Sequence, residues 1–133
     1  MDAYLSGEAR QQLRAQALEI PHRRAAGLLL GHRRGGRFFV ERIYPCLFGP
    51  LPSAQRYVEL DGIFEGKIIG FYSSGGRGGT TGEKWPPFSY NKLYLELELH
   101  PKRGLILRPS VVEYSDSFRL VPAVLAERPE RKR

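Results

Sequence analysis

The most restrictive feature of the sequence is the run KLYLELEL at residues 92–99, in which leucine occupies every second position. These leucines, Leu93 to Leu99, alternate with tyrosine and glutamate side chains. A period of two matches the pleat of a β-strand, whose successive side chains point to opposite faces. The run therefore predicts a strand with one apolar, buried face.

The remaining pattern predicts one helix and several further strands. Ser6 is placed to cap a helix over residues 7–19, whose apolar side chains form one stripe that can pack against a sheet. RRGG at residues 33–36 is typical of a hairpin turn between antiparallel strands. The further predicted strands are AAGLLLG, RFFVERIYP, RYVEL, KIIGFYSS, GLILRPSVVEYS and FRLVPAVLA. We therefore expect one α+β domain with an N-terminal helix and a mostly antiparallel, twisted sheet.

Length and composition favour a single folded domain. A chain of 133 residues with 41% hydrophobic content can bury a sizeable core over residues 1–126, and we expect the basic tail, residues 127–133, to be disordered. No run of eighteen apolar residues occurs, and the first ten residues lack the pattern of a secretory signal. We therefore expect a cytoplasmic protein that does not bind membranes. The single cysteine excludes an internal disulfide and a multi-cysteine metal cluster.

The charge balance is strongly basic, with a net charge of +7 and 21 lysines and arginines against 14 acidic residues. Such a balance allows an acidic or nucleic-acid partner. A genome of high GC content and the basic tail offer a second explanation. Two RGG triplets, at residues 34–36 and 77–79, are too isolated to indicate RNA binding. Nucleic-acid binding therefore remains an alternative.

A glycine-rich segment follows the apolar run KIIGFYSS and holds five glycines between residues 75 and 82. Loops at strand ends often carry function. The backbone amides of Gly76 and Gly78 could form an anion-binding nest beside Arg24 or Arg77. A surface loop without a ligand is the alternative reading. The segment lacks the spacing of a phosphate-binding P-loop.

The order of elements, with GLLLG at residues 27–31 and GFYSS at residues 70–74, resembles the JAMM metalloprotease family, also called the MPN or JAB domain. The resemblance implies the cytidine-deaminase-like fold of that family, trimmed in its helices. Active members hold one zinc ion with two histidines and an aspartate, and a glutamate activates the bound water for isopeptide or peptide hydrolysis.

The resemblance also implies that the catalytic machinery is missing. Arg24 falls at the position of the catalytic glutamate, and Ser73 and Gly75 fall at the two histidine positions. Ser74 keeps the serine between them, and Glu83 is the acid nearest to the expected aspartate. Serine and glycine lack the imidazole nitrogen that zinc needs, and a cation repels a divalent metal. We therefore expect no zinc, no cofactor and no catalytic residue.

Three functions follow as hypotheses. The first is a non-catalytic MPN/JAB-like domain that acts as a protein-interaction or scaffold module, with a protein partner or a second copy bound by the N-terminal helix or the KLYLELEL strand. The alternative is a basic module that binds nucleic acid or another polyanion. The third is a JAMM-type isopeptidase with an atypical site. Binding to a polyanion weakens steeply with salt, whereas an apolar pairing surface is insensitive to it.

Overall fold

The structure is a computed structural model that describes residues 1–18, 25–46, 51–74, 86–115 and 117–126. It contains eight strands and two α-helices within these ranges. In chain order they are β1 (Asp2–Leu5), α1 (Gly7–Ala17), β2 (Ala26–Arg34), β3 (Arg37–Pro45), α2 (Ala54–Ile63), β4 (Ile68–Ser74), β5 (Leu93–His100), β6 (Gly104–Tyr114), β7 (Phe118–Pro122) and β8 (Val124–Ala126). A short 3-10 helix, Pro87–Ser89, precedes β5.

All eight strands belong to one sheet, in the order β7, β6, β5, β4, β2, β3, β1, β8. Strand β1 runs parallel to both β3 and β8, and β4 runs parallel to β5. The two outer strands, β7 and β8, are separated only by Ala123, whose N–H donates to the carbonyl oxygen of Pro109 in β6 at 3.0 Å. One chain segment therefore forms both edges, and the sheet curls into a nearly closed barrel.

Helix α1 packs on one face of this curved sheet. Ser6 caps it by accepting a hydrogen bond from the N–H of Ala9 at 3.0 Å, as its position in the sequence predicts. The buried side chains of Ala9, Leu13 and Ala17 define its inward face. Leu13 belongs to the same core cluster as Leu95 of β5, and burying a leucine side chain of this kind contributes about 1.5–3 kcal/mol.

The opposite face of the sheet is covered by α2 and the 3-10 helix. Leu60 of α2 packs in a second core cluster with Leu28, Phe71 and Tyr94. As a result the KLYLELEL strand is buried at Tyr94 as well as along its leucine face, whereas the alternation predicts one buried face. Neither α1 nor α2 is long and apolar enough to cross a membrane.

The expected fold, an α+β domain of the MPN/JAB, cytidine-deaminase-like type with an N-terminal helix, is wrong. The chain begins with strand β1 ahead of the helix, and a nearly closed, barrel-like sheet dominates the described residues. The sequence pattern did not predict β1, because this short strand has only two buried positions, Ala3 and Leu5. Its conformation depends on pairing with distant strands. Sequence periodicity does not report such long-range pairing.

The predicted strand RYVEL is also wrong, since these residues lie within helix α2. Ser53 caps the helix by accepting from the N–H of Arg56 at 3.1 Å. Tyr57 and Val58 have the aromatic and β-branched side chains typical of strands, and Leu60 is the helix's only fully buried side chain. A helix with so little buried surface lacks the apolar stripe from which helices are recognised. The other predicted strands are confirmed as β2 to β8.

Candidate anion-binding cleft

Two residues of the predicted degenerate site, Ser73 and Ser74, lie at the end of β4 and are 4% and 2% exposed. The Ser74 hydroxyl accepts a hydrogen bond from the N–H of Ala25 at 2.8 Å. The Ser73 hydroxyl is hydrogen-bonded to the phenol of Tyr94. Burial raises the pKa of Tyr94, and the hydrogen bond with Ser73 opposes this change. Both serines therefore hold neighbouring segments together within the core.

The other predicted site residues lie outside the described residues. They are Arg24, Gly75, Gly76, Arg77, Gly78 and Glu83. The degenerate zinc site and the anion-binding nest in the glycine-rich segment therefore stay predictions. Among the described residues, no three histidine, cysteine, aspartate or glutamate side chains come together as a metal site would require.

A different place in the fold collects positive charge. A cleft of about 420 Å³ lies where the end of β2, the segment before β4 and the segment before β5 meet. Arg33, Lys67 and Lys92 line it, one from each of these segments, and His32 and Tyr90 complete its rim. We call this set the basic cleft. Its cations are far apart in the sequence, and only the fold brings them together.

Local backbone geometry explains how the cleft forms. A β-bulge shifts the register between Leu30 and Gly31, and the N–H of Gly31 donates to the carbonyl oxygen of Lys67 at 3.0 Å. A side chain at Gly31 would collide with the backbone of Phe39. Asn91 adopts a left-handed conformation with φ of 66°, which asparagine tolerates well. These two irregularities place Lys67 and Lys92 beside the end of β2.

Arg33 is held in a fixed orientation. Its Nε donates to the carbonyl oxygen of Gly35 at 2.7 Å, and its Nη1 donates to the carbonyl oxygen of Asn91 at 3.1 Å. Its guanidinium carbon lies 4.7 Å from the centre of the Phe38 ring, a cation–π distance. The guanidinium has five N–H donors, so three remain for a ligand after these two bonds.

Lys92 is partly buried in the same cleft. Its Nζ donates to the carbonyl oxygen of Ile68 at 3.1 Å and lies 5.8 Å from the centre of the Tyr57 ring. Burial lowers the pKa of Lys92, the carboxylate of Asp61 opposes this change, and the charge of Arg33 adds to it. Arg33 and Lys92 line the same cleft, and Asp61 acts on Lys92 as a nearby carboxylate.

The positive charge continues along the β2–β3 hairpin. Arg34 and Arg37 are directly opposite each other in the antiparallel register and both are exposed. Like charges in this relation destabilise a sheet. Within the described ranges, Arg56 pairs with Glu59 and Arg108 pairs with Glu98, while His32 is hydrogen-bonded to Glu41, so Arg34 and Arg37 have no carboxylate partner there. We call this pair the hairpin arginines.

The sequence alone indicates part of the structure around the basic cleft. RRGG at residues 33–36 is confirmed as a hairpin turn, but the sequence pattern does not identify Arg33, Arg34 and Arg37 as a cationic edge. Nothing in the sequence links them to Lys67 or Lys92, because the contact depends on the bulge at Gly31 and on the pairing of β2 with β4.

Comparison with known proteins identifies the fold class and no family. No family model matches the sequence, and no curated protein is similar to it. The solution structure of protein DSY2949 from Desulfitobacterium hafniense is similar with a TM-score of 0.60 and 20% identity, over 96% of this chain and 95% of that one. A solution structure of a Salinibacter ruber protein is similar with a TM-score of 0.53 and 14% identity, over 92% and 91% of the two chains. At these identities the likeness shows the fold alone.

Proposed function

We propose that this protein is a non-catalytic binding module that takes a phosphate-rich polyanion in the basic cleft. The observation that supports this proposal is the convergence of Arg33, Lys67 and Lys92 from three segments on one cleft of about 420 Å³. Assembling like charges costs free energy on folding, and the carboxylate of Asp61 offsets part of that cost at Lys92. A bound polyanion would offset the rest of that cost.

The non-catalytic part of the proposal is supported by the use of the serines in β4. Ser73 and Ser74 are buried and hydrogen-bonded to Tyr94 and Ala25, so neither hydroxyl is directed toward solvent. A serine nucleophile needs an adjacent base that can take its proton. The groups bonded here are a phenol and a backbone amide, which do not serve that role at neutral pH.

The direct test is binding of a short inorganic polyphosphate, measured by calorimetry at two salt concentrations. With three phosphate contacts, the affinity should fall about 20- to 40-fold between about 50 mM and about 200 mM salt. Arg33→Gln and Lys67→Gln should each weaken binding and reduce the salt dependence. Lys102→Gln removes the same charge from the exposed β5–β6 turn and is the matched control. Equal effects of all three variants, or binding that ignores salt, would overturn the proposal.

A protein-interaction role is the second candidate, and one observation favours it. Val58 and Ile63 of α2 are 68% and 66% exposed. The sequence predicts the N-terminal helix or the KLYLELEL strand as the pairing surface, but the apolar side chains Leu13 and Leu95 of these elements are buried in the core of the domain. A partner protein or a second copy would therefore contact α2.

A further inference from the structure

Tyr90 differs from the other tyrosines of the chain. Within the described structure, four tyrosines contact another aromatic ring, namely Tyr4, Tyr44, Tyr57 and Tyr114. Two others, Tyr72 and Tyr94, use their hydroxyls in side-chain hydrogen bonds. The described residues show neither kind of contact for the side chain of Tyr90, which is 48% exposed on the rim of the basic cleft. An aromatic face is thus open to a ligand.

The backbone around Tyr90 is firmly held. Its N–H donates to the carbonyl oxygen of Pro87 at 3.1 Å, and the N–H of Asn91 donates to the carbonyl oxygen of Val112 at 2.8 Å. The next residue, Lys92, donates its backbone N–H to Ser89 at 3.0 Å. The open ring therefore stands on a fixed turn, and preorganisation of this kind lowers the entropic cost of binding.

The ring and the cations are close enough to act on one ligand. Arg33 donates to the carbonyl oxygen of Asn91, the neighbour of Tyr90, and Lys92 is two residues further along the chain. Single-stranded nucleic acids are recognised by this combination, in which cations follow the phosphates and aromatic rings stack on the bases. The bases of a duplex are stacked on one another and cannot cover such a ring.

We infer that the polyanion is a single-stranded nucleic acid, with one base stacked on Tyr90 and the adjoining phosphates bound by Arg33, Lys67 and Lys92. This inference rests on the proposed function. The cleft, at about 420 Å³, is near the lower end of the range of about 300–1,000 Å³ for small-ligand sites and suits a single nucleotide.

The test compares a fluorescently labelled oligouridylate with an inorganic polyphosphate that carries the same number of phosphates. Tyr90→Ala should weaken binding of the oligouridylate by about 5- to 150-fold, the usual range for one stacked base, and leave polyphosphate binding unchanged. Tyr90→Phe keeps the ring and should bind like the unmodified protein. Tyr114→Ala removes another exposed tyrosine, from the end of β6, and should change neither affinity.

The outcomes separate the two proposals. Oligouridylate binding that is indifferent to Tyr90→Ala overturns the stacking inference, while polyphosphate binding that responds to Arg33→Gln keeps the proposed function. If the duplex of the oligouridylate with its complement binds as tightly as the single strand, the inference is also contradicted. If neither polymer binds, both proposals are wrong. Equal loss of affinity for both ligands in Tyr90→Ala contradicts a role in base stacking, unless a thermal melt shows that this variant has a folding defect. In that case two comparisons decide. One is the affinity of Tyr90→Phe against that of the unmodified protein, and the other is the affinity for the single strand against that for the duplex.

Discussion

The guanidinium of Arg33 donates to the carbonyl oxygen of Asn91 at 3.1 Å, across a separation of 58 residues in the sequence. This one bond ties the β2–β3 hairpin to the turn that precedes β5. It therefore fixes the position of a cation relative to Tyr90 and Lys92 on that turn. The basic cleft depends on this contact between two otherwise separate segments.

Arg33→Lys should lower the free energy of unfolding by about 1 kcal/mol, although it conserves the charge. A lysine cannot reproduce the planar fork that bonds both Gly35 and Asn91. Arg34→Lys, at the neighbouring exposed position, should leave stability unchanged. Urea unfolding monitored by circular dichroism measures both, and equal stability of the two variants would contradict the role assigned to Arg33.

Gly31→Ala should destabilise the protein by about 1–3 kcal/mol or more, because a Cβ there overlaps with the backbone of Phe39. Gly36→Ala is the matched control, since the nearest atom to a Cβ at that position is 3.9 Å away on Met1. Chemical denaturation of both variants provides the comparison. A neutral Gly31→Ala would mean that the bulge in β2 is not required.

Ser74→Ala should cost about 1–3 kcal/mol of stability, because the buried N–H of Ala25 loses its acceptor. It should leave polyphosphate affinity unchanged, since the serine lies in the core. Ser117→Ala, at an exposed position, should affect neither quantity. A peptidase or isopeptidase activity that disappears in Ser74→Ala while the fold survives would oppose the non-catalytic proposal.

Stability should decrease at alkaline pH because of two buried tyrosines. Burial, and secondarily the charge of Cys46, raises the pKa of Tyr72 above its ordinary value of 10.0, and burial also raises that of Tyr94. The folded state then holds more protons than the unfolded state above about pH 10, so the stability present below that pH is lost as pH rises.

The measurement is urea unfolding from about pH 8 to about pH 11. Tyr72→Phe removes one of the titrating phenols and should make the alkaline decline shallower. Tyr90→Phe removes an exposed phenol and serves as the control. A decline of equal slope in Tyr72→Phe would show that Tyr72 does not contribute to it.

Self-association through α2 gives a fifth prediction. Sedimentation at micromolar concentration should show a dimer that is insensitive to salt, because the contact would bury apolar side chains. The double variant Val58→Ser with Ile63→Ser should be monomeric, whereas Val124→Ser, at an exposed apolar position on β8, should not change the equilibrium. A protein that stays monomeric at high concentration would contradict the prediction of self-association.

The residues that follow a local pattern were predictable, and those that depend on distant partners were not. The alternation from Leu93 to Leu99 identified β5, and Ser6 identified the start of α1. Helix α2 was missed because it buries so little, and β1 because it is short. The basic cleft was not predictable because it also depends on distant partners. Arg33 and Lys92 line one cleft only after β2 has paired with β4.

The pairing of β8 with β1, which nearly closes the sheet, bears on the order of events during folding. Strands β1 and β8 come from opposite ends of the described chain, and their pairing is helped by the bond from the N–H of Val124 to the carbonyl oxygen of Met1 at 2.9 Å. Contacts between such distant segments carry a large loop-closure entropy, so we expect them to form last. Until then β1 has an unpaired edge that a neighbouring chain can occupy. We therefore expect the risk of aggregation to be greatest before β8, Val124–Ala126, has paired with β1.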